Sequence, residues 1–170
     1  MKYLVVSDNH GDRDCLVDLA DYYRGKVDCM FHCGDSELEP TDSLWDDFVV
    51  VTGNCDYDER FLKEQLVKTD EDRILMTHGH LYNVRQTLSN LVYRAQELSA
   101  SIVLFGHTHE LGVEMIEEVL VLNPGSISLP RGQYMIKTYA IIENLADSYQ
   151  VSYYRDNHEK LSHLTVSCTK

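Results

Sequence analysis

The chain has 170 residues, 44% of them hydrophobic, which is enough for one domain, residues 1–170, with a core of its own. Fifteen basic against 28 acidic residues leave a formal net charge of -13, which disfavours long nucleic acids and anionic membranes; a small phosphorylated substrate fits only where local cations offset the repulsion. Five cysteines, an odd number with no C-x-x-C pair, fit reduced thiols rather than disulfides.

The opening Met1-Lys2-Tyr3-Leu4-Val5-Val6 turns polar too soon for a signal peptide. No apolar stretch approaches the ~20 residues of a membrane helix. A soluble, cytoplasmic protein is therefore expected.

In chain order, residues 3–6 predict a buried strand. Leu16, Leu19, Ala20 and Tyr23 recur at helical spacing after Asp12, a candidate N-cap. Residues 27–33 predict a second strand, 48–51 a third, 73–77 a fourth and 102–105 a fifth. A helical or irregular segment runs through Trp45, and residues 60–65 fit either strand or helix. Residues 83–98 predict a helix, with Val84, Leu88, Leu91, Val92, Ala95 and Leu98 on one face. From Gly112 the pattern changes to strands without intervening helices, at 113–116, 119–122, 138–142 and 149–154. These read as a second sheet packed on the first, and Leu164-Thr165-Val166 as an edge strand or a frayed end. Tyrosines on the later strands are candidates for an oligomer interface, or ordinary sheet residues.

Five of the apolar runs end in residues able to bind metal. They are Asp8-Asn9-His10, Gly34-Asp35, Gly53-Asn54, His78-Gly79-His80 and Gly106-His107-Thr108-His109. Sites in open α/β sheets form at the carboxyl ends of strands, so all five groups are expected at one edge of one sheet. Singly, each has an ordinary reading: an Asp after a strand is usually a cap, and Gly-Asn is usually a turn. Together they hold five of the eight histidines, among them His10, His78, His107 and His109, which scatter does not readily produce. Carboxylate, amide and imidazole donors suit Mn, Zn, Fe, Ni or Mg. Asp35 is the natural bridge, because one carboxylate can bind two ions. Two ions about 3.5–4 Å apart can share a hydroxide and hold a phosphate between them. Cys33 reads as a core residue.

As an ordered set, Asp8-x-His10, Gly34-Asp35, Gly53-Asn54-Cys55-Asp56, Thr77-His78-Gly79-His80 and Gly106-His107-Thr108-His109 resemble the calcineurin-like metallophosphoesterase superfamily. With Asn123-Pro124-Gly125-Ser126 and the compact length, the chain is similar to the small YfcE-type phosphodiesterases. The resemblance implies a four-layer α/β/β/α sandwich of two mixed sheets flanked by helices. It also divides the ligands. One ion would be held by Asp8, His10, Asp35 and His109, and the other by Asp35, Asn54, His78 and His107. It implies that Asn123 to Ser126 lies near the site.

The chain departs from many members at Cys55, where they carry a histidine that contacts phosphate or protonates the leaving group. A thiol donates weakly, so aryl esters should suffer less from the exchange than alkyl esters. His80 is a substitute acid, or a hydrogen-bonding partner behind the ligands. Arg131 is a phosphate ligand or a surface arginine. Asp56 is a candidate for orienting a histidine ligand.

The function expected is a binuclear metal-dependent phosphodiesterase, with two divalent ions, Mn favoured, acting on a small phosphate ester by attack of a metal-bridging hydroxide. A phosphomonoesterase is the alternative. A non-catalytic scaffold of the same fold, as in a eukaryotic retromer subunit, is the rival from another class. Oligomeric state, including a homo-oligomer, stays open.

Overall fold

The computed structural model describes residues 1–170. In strand β1 (Lys2–Val6), Tyr3 and Val5 point into one apolar cluster while Leu4 and Val6 point into another. That two-residue alternation is what a strand buried on both faces requires. Tyr3 and Val5 meet Ile74, Met76, Ile102 and Leu104, which belong to a different sheet. Leu4 and Val6 meet Leu16, Leu19 and Ala20 of helix α1 (Arg13–Tyr23). The other strands repeat the pattern, and the layers follow from it.

The first sheet joins β1 to β2 (Cys29–His32) and β3 (Phe48–Val50) in parallel. On the other side of β1 it continues antiparallel through β9 (Thr138–Asn144), β10 (Ser148–Arg155) and β11 (Val166–Thr169). The second sheet runs in the order β4 (Glu64–Lys68), β5 (Arg73–Thr77), β6 (Ile102–Leu104), β8 (Val119–Asn123) and β7 (Gly112–Ile116). Its core strands β5, β6 and β8 are parallel, and β4 and β7 are antiparallel edges. Helix α2 (Ser89–Glu97) covers its outer face through Leu91, Val92 and Ala95. The result is an α/β/β/α sandwich of two mixed sheets.

Three expectations need correction. The five ligand-bearing strands do not share a sheet: β1, β2 and β3 lie in the first, β5 and β6 in the second. The division is not at Gly112 either, because β9 to β11 return to pair with β1. Apolar runs report burial on both faces but not which strand pairs with which. The predicted helix over 83–98 begins only at Ser89, since Asn83 is left-handed (φ 55°) and ends a short 3-10 turn at His80–Tyr82. Val84 and Leu88 still reach the α2 cluster, so the apolar spacing survives where the helix does not.

Tyr149 and Tyr153 are core residues, not an exposed interface. The Tyr153 hydroxyl donates to the Asn123 carbonyl at 3.1 Å, and that of Tyr149 to Asp72 Oδ1 at 2.7 Å. Asp12 accepts from Cys15 N and caps α1, and Cys33 is buried in the central core, both as expected. No helix is long and apolar enough to cross a membrane.

Candidate metal centre

The two sheets stack so that the carboxyl ends of their parallel strands coincide, and hydrogen bonds tie the loops across them. His107 N donates to Asp8 Oδ2 at 3.2 Å, and His78 Nδ1 donates to the Cys33 carbonyl at 2.7 Å. Asn123 Nδ2 donates to the Gly106 carbonyl at 2.9 Å, and Ser126 Oγ to that of Asp8 at 2.7 Å. The Asn123 to Ser126 turn thus braces two ligand loops.

The crowding dictates glycine at two places. A Cβ on Gly53 would lie 2.0 Å from Asp35 Oδ1, and one on Gly106 2.0 Å from Ser7 Oγ. Six of the eleven non-glycine residues with positive φ are Asp8, His10, Asp35, Glu37, His107 and His109. Such backbone is costly and persists where its surroundings over-determine it, typically at functional sites.

The structure brings Asp8, His10, Asp35 and His109 together with donor atoms within 4.8 Å of one another. His10 Nδ1 donates to Glu37 Oε1 and His109 Nδ1 to the Leu129 carbonyl, each at 2.7 Å. With the outer nitrogens protonated, a neutral ring has only a lone pair at Nε2. These two lone pairs face each other at 3.2 Å, and that of His109 lies 3.0 Å from Asp8 Oδ1. Asp8 is fully buried, and its Oδ1 has no hydrogen-bond partner. Converging acceptors around a buried carboxylate oxygen without a proton are the environment that a divalent cation completes, so these residues fit a metal.

Asn54, His78 and His107 gather on the other side of Asp35. His78 Nε2 lies 3.3 Å from Asp35 Oδ2 and 3.2 Å from Asn54 Oδ1. His107 Nδ1 lies 2.8 Å from Asn54 Oδ1. Here the tautomer is the opposite one: Arg85 Nε donates to His107 Nε2 at 3.1 Å, which leaves the His107 proton on Nδ1. To turn a lone pair toward Asn54, His107 must move that proton and release Arg85.

Charge follows the geometry. Burial pushes the Asp35 carboxyl up, but hydrogen bonds from His78 and the Cys55 backbone outweigh it and hold Asp35 well below the usual carboxylate range. Burial lowers His78, and the carboxylates of Asp35 and Asp8 more than reverse that. Burial, then repulsion from His78 and Arg85, takes His107 down to about 4.

His80 lines a cavity of about 620 Å³ with Asn54, Tyr57 and Lys63, and its buried Nδ1 has no partner. Its ring centroid lies 5.4 Å from that of His78. Burial lowers its pKa. Cys55 sits at the centre's edge, its thiol pushed up to about 11 by burial and the Asp35 charge. Arg131 is exposed; its backbone N donates to the His109 carbonyl at 3.0 Å, and its guanidinium engages no protein group. Asp56 orients no histidine. It accepts from Ser36 Oγ, Glu37 N and Gly53 N, and so ties the Asp35 loop to the Asn54 loop.

Three residues with a part here carried no motif. Glu37 fixes the His10 tautomer. Arg85 holds His107. Buried His32 donates from Nε2 to Asn9 Oδ1 at 2.8 Å and accepts from Gly34 N at Nδ1, clamping the first two ligand loops. Burial takes it down to about 4, so it stays neutral. A carboxylate two residues after Asp35 was the only available signal for Glu37. Partners behind metal-bound histidines typically contribute about 10–100-fold in affinity, so Glu37→Gln should weaken divalent binding by roughly that factor. Calorimetric titration of the chelator-stripped chain checks this; unchanged affinity would show that the contact orients nothing.

Residues 1–147 match the family model of the calcineurin-like phosphoesterase superfamily domain. YsnB of Bacillus subtilis, a probable metallophosphoesterase, is 43% identical over 154 residues, covering 91% of this chain and 90% of that protein. A crystal structure of a predicted phosphoesterase from Streptococcus pneumoniae superposes with a TM-score of 0.97 at 37% identity, covering 99% of this chain and 97% of the other. The phosphodiesterase YfcE of Escherichia coli is 30% identical over 132 residues, covering 73% of this chain and 61% of its own. With its candidate ligand motifs gathered across two stacked sheets, this chain belongs to the calcineurin-like phosphoesterase superfamily.

Proposed function

We propose that the chain is a metal-dependent phosphodiesterase with two divalent cations, Mn the favoured ion and Zn, Fe, Ni or Mg alternatives. The observation that carries this reading is the inward convergence of the Asp8, His10 and His109 acceptors, with the outer ring nitrogens already engaged. Asp8, His10, Asp35 and His109 would hold one ion, and Asp35, Asn54, His78 and His107 the other. Bound there, the pair would supply a water activated for attack on phosphorus and positive charge for the phosphoryl oxygens.

The protein's own residues do the rest. Glu37 and the carbonyls of Leu129 and Cys33 keep three imidazoles in one orientation and one tautomer. His80, facing the cavity beside Asn54, is the donor to the leaving oxygen. Arg131, whose backbone N donates to the His109 carbonyl and whose guanidinium is free, takes a phosphoryl oxygen. Cys55 occupies the position where a stronger donor would help. A cavity of about 620 Å³ suits a small ester rather than a polymer. The name of YfcE favours diesters over monoesters.

We read residues 1–170 as one domain, supported by the return of β9 to β11 to the sheet of β1. Five free cysteines support a cytoplasmic setting.

The test is turnover of a chromogenic aryl phosphodiester and its matching monoester, after chelation and after Mn is restored. Turnover lost on chelation, regained with Mn and faster on the diester is expected. Inactivity on both esters with Mn bound contradicts the enzyme reading and favours a scaffold; a faster monoester reverses the specificity. If Cys55 limits leaving-group protonation, Cys55→His should speed esters with basic leaving groups by up to about 10²-fold and aryl esters less. Equal gains across leaving groups would remove that explanation.

A further inference from the structure

His10 has two faces. Its Nε2 faces His109 Nε2 at 3.2 Å, and its Nδ1 lies 2.7 Å from Glu37 Oε1; with Glu37 and Cys55 it forms a second group whose donor atoms are within 4.8 Å of one another. That group is built differently. It offers one imidazole nitrogen, one carboxylate oxygen and one thiol sulfur, a set that suits zinc or cadmium and is a poor match for manganese or magnesium. Glu37 and Cys55 line a cavity of about 410 Å³ whose wall carries the carboxylates of Glu39, Asp56 and Asp58. Asp58 is bound to Arg60, Asp56 to backbone and to Ser36 Oγ, and Glu39 lies 3.9 Å from the Arg60 guanidinium at 82% side-chain exposure. Cys55 Sγ accepts from Asn54 Nδ2 at 3.3 Å, and its thiol lies against the Asp35 carboxylate.

We propose that His10, Glu37 and Cys55 form a site for a thiophilic divalent cation, and that its occupation excludes the ion held through Asp8 and His109. The exclusion is a matter of one ring. A neutral imidazole has one lone pair. When Nδ1 takes the soft cation, the ring proton passes to Nε2 and points at Asp8 and His109, so His10 is lost as a ligand on that side. Binding displaces the thiol proton to water and opens the Glu37 contact. Zinc or cadmium in excess therefore acts as an inhibitor by drawing His10 away from the activating ion.

The binding half of this inference is independent of the phosphodiesterase reading, and the inhibitory half rests on it. Cadmium titrated into the full-length, manganese-loaded chain reads the first through the ultraviolet cadmium–thiolate charge-transfer band, which exchange at thiol-free ligands cannot produce. The expected result is a band saturating at one ion per chain. It should vanish in Cys55→Ser and Cys55→Ala and persist in Cys15→Ser and Cys29→Ser. In Glu37→Gln it should require about tenfold more cadmium. No band, a band surviving in both Cys55 variants, or unchanged affinity in Glu37→Gln would overturn the site. The last outcome would reduce it to a lone thiol.

Turnover of the aryl diester reads the second half. Cadmium should inhibit the manganese enzyme, added manganese should reverse it, and Cys55→Ser should tolerate about tenfold more cadmium. Equal sensitivity of wild type and Cys55→Ser would overturn the exclusion. A chain with no turnover at all would sink the phosphodiesterase reading, and the band would still decide the site.

Discussion

Asp35→Asn is expected to cut turnover of an aryl phosphodiester by roughly 10²–10⁴-fold and to lower the number of divalent ions held per chain. Asp35 lies between the two ligand groups, with Oδ2 3.3 Å from His78 Nε2 and Oδ1 2.7 Å from Cys55 N. Asparagine keeps one acceptor for the Cys55 backbone, so the loop should hold. What it removes is the negative charge that two cations would share. Metal-borne stabilisation of a phosphoryl transition state is worth several kcal/mol, and each ~1.4 kcal/mol is tenfold in rate. Steady-state kinetics and elemental analysis of the same preparation check both parts. Turnover within tenfold of wild type, with two ions still bound, would show that Asp35 bridges nothing.

Asp72→Ala is expected to destabilise the fold by about 3–5 kcal/mol, since it leaves several buried neutral donors unpaired at about 1–3 kcal/mol each, partly relieved by relaxation. Asp72 is 4% exposed and lies in the turn between β4 and β5, away from the ligand loops. Its carboxylate accepts from the Tyr3 and Tyr149 hydroxyls, each at 2.7 Å, from Asn144 Nδ2 at 2.6 Å and from Ser101 Oγ at 3.2 Å. Tyr3, Asn144 and Tyr149 belong to the first sheet and Asp72 to the second, so this one group latches the sandwich at the end opposite the metal centre. At roughly 2–4 °C per kcal/mol for a chain of this size, the melting temperature should fall by about 6–20 °C. Metal affinity should stay unchanged at temperatures where the variant is folded.

The same carboxyl predicts an acid dependence. Burial pushes it up, and hydrogen bonds from Tyr149, Tyr3, Asn144 and Ser101 outweigh that, so its pKa is lowered in the folded chain. A depressed carboxyl contributes stability that is fully present above its unfolded value, near 3.9, and is lost as pH falls through the lower folded value. Denaturant midpoints from pH 6 downward should therefore converge for wild type and Asp72→Asn in that acid window. Parallel curves would assign the loss to other groups.

What could be read in the sequence is specific. Apolar runs of three to five residues ending in Asp8, Asp35, Asn54, His78 and His107 carry both strand and ligand, because a strand's carboxyl end is where its loop meets the site. The pairing of strands was hidden. β1 and β5 are both buried on two faces, and nothing in Tyr3 to Val6 or Ile74 to Met76 says that they face each other rather than lie side by side. Residues 60–65 were ambiguous, and they overlap only the start of β4, a half-buried edge where alternation is weak. Glu37 and Arg85 stand in loops whose positions depend on tertiary contacts, Glu37 N on Asp56 and Arg85 on the left-handed turn at Asn83. Their chemistry is plain once placed and invisible before. The family likeness supplied the division of ligands into two groups, which spacing alone did not contain.

The proposed chemistry requires the candidate ligand loops of both sheets to form a single two-cation pocket. Anomalous diffraction at the manganese edge, from crystals of the manganese-loaded chain, tests this most directly. Two peaks about 3.5–4 Å apart are predicted, one against Asp8, His10, Asp35 and His109 and the other against Asp35, Asn54, His78 and His107. A map with no peak among these residues, from protein shown to be saturated with manganese in solution, would contradict it.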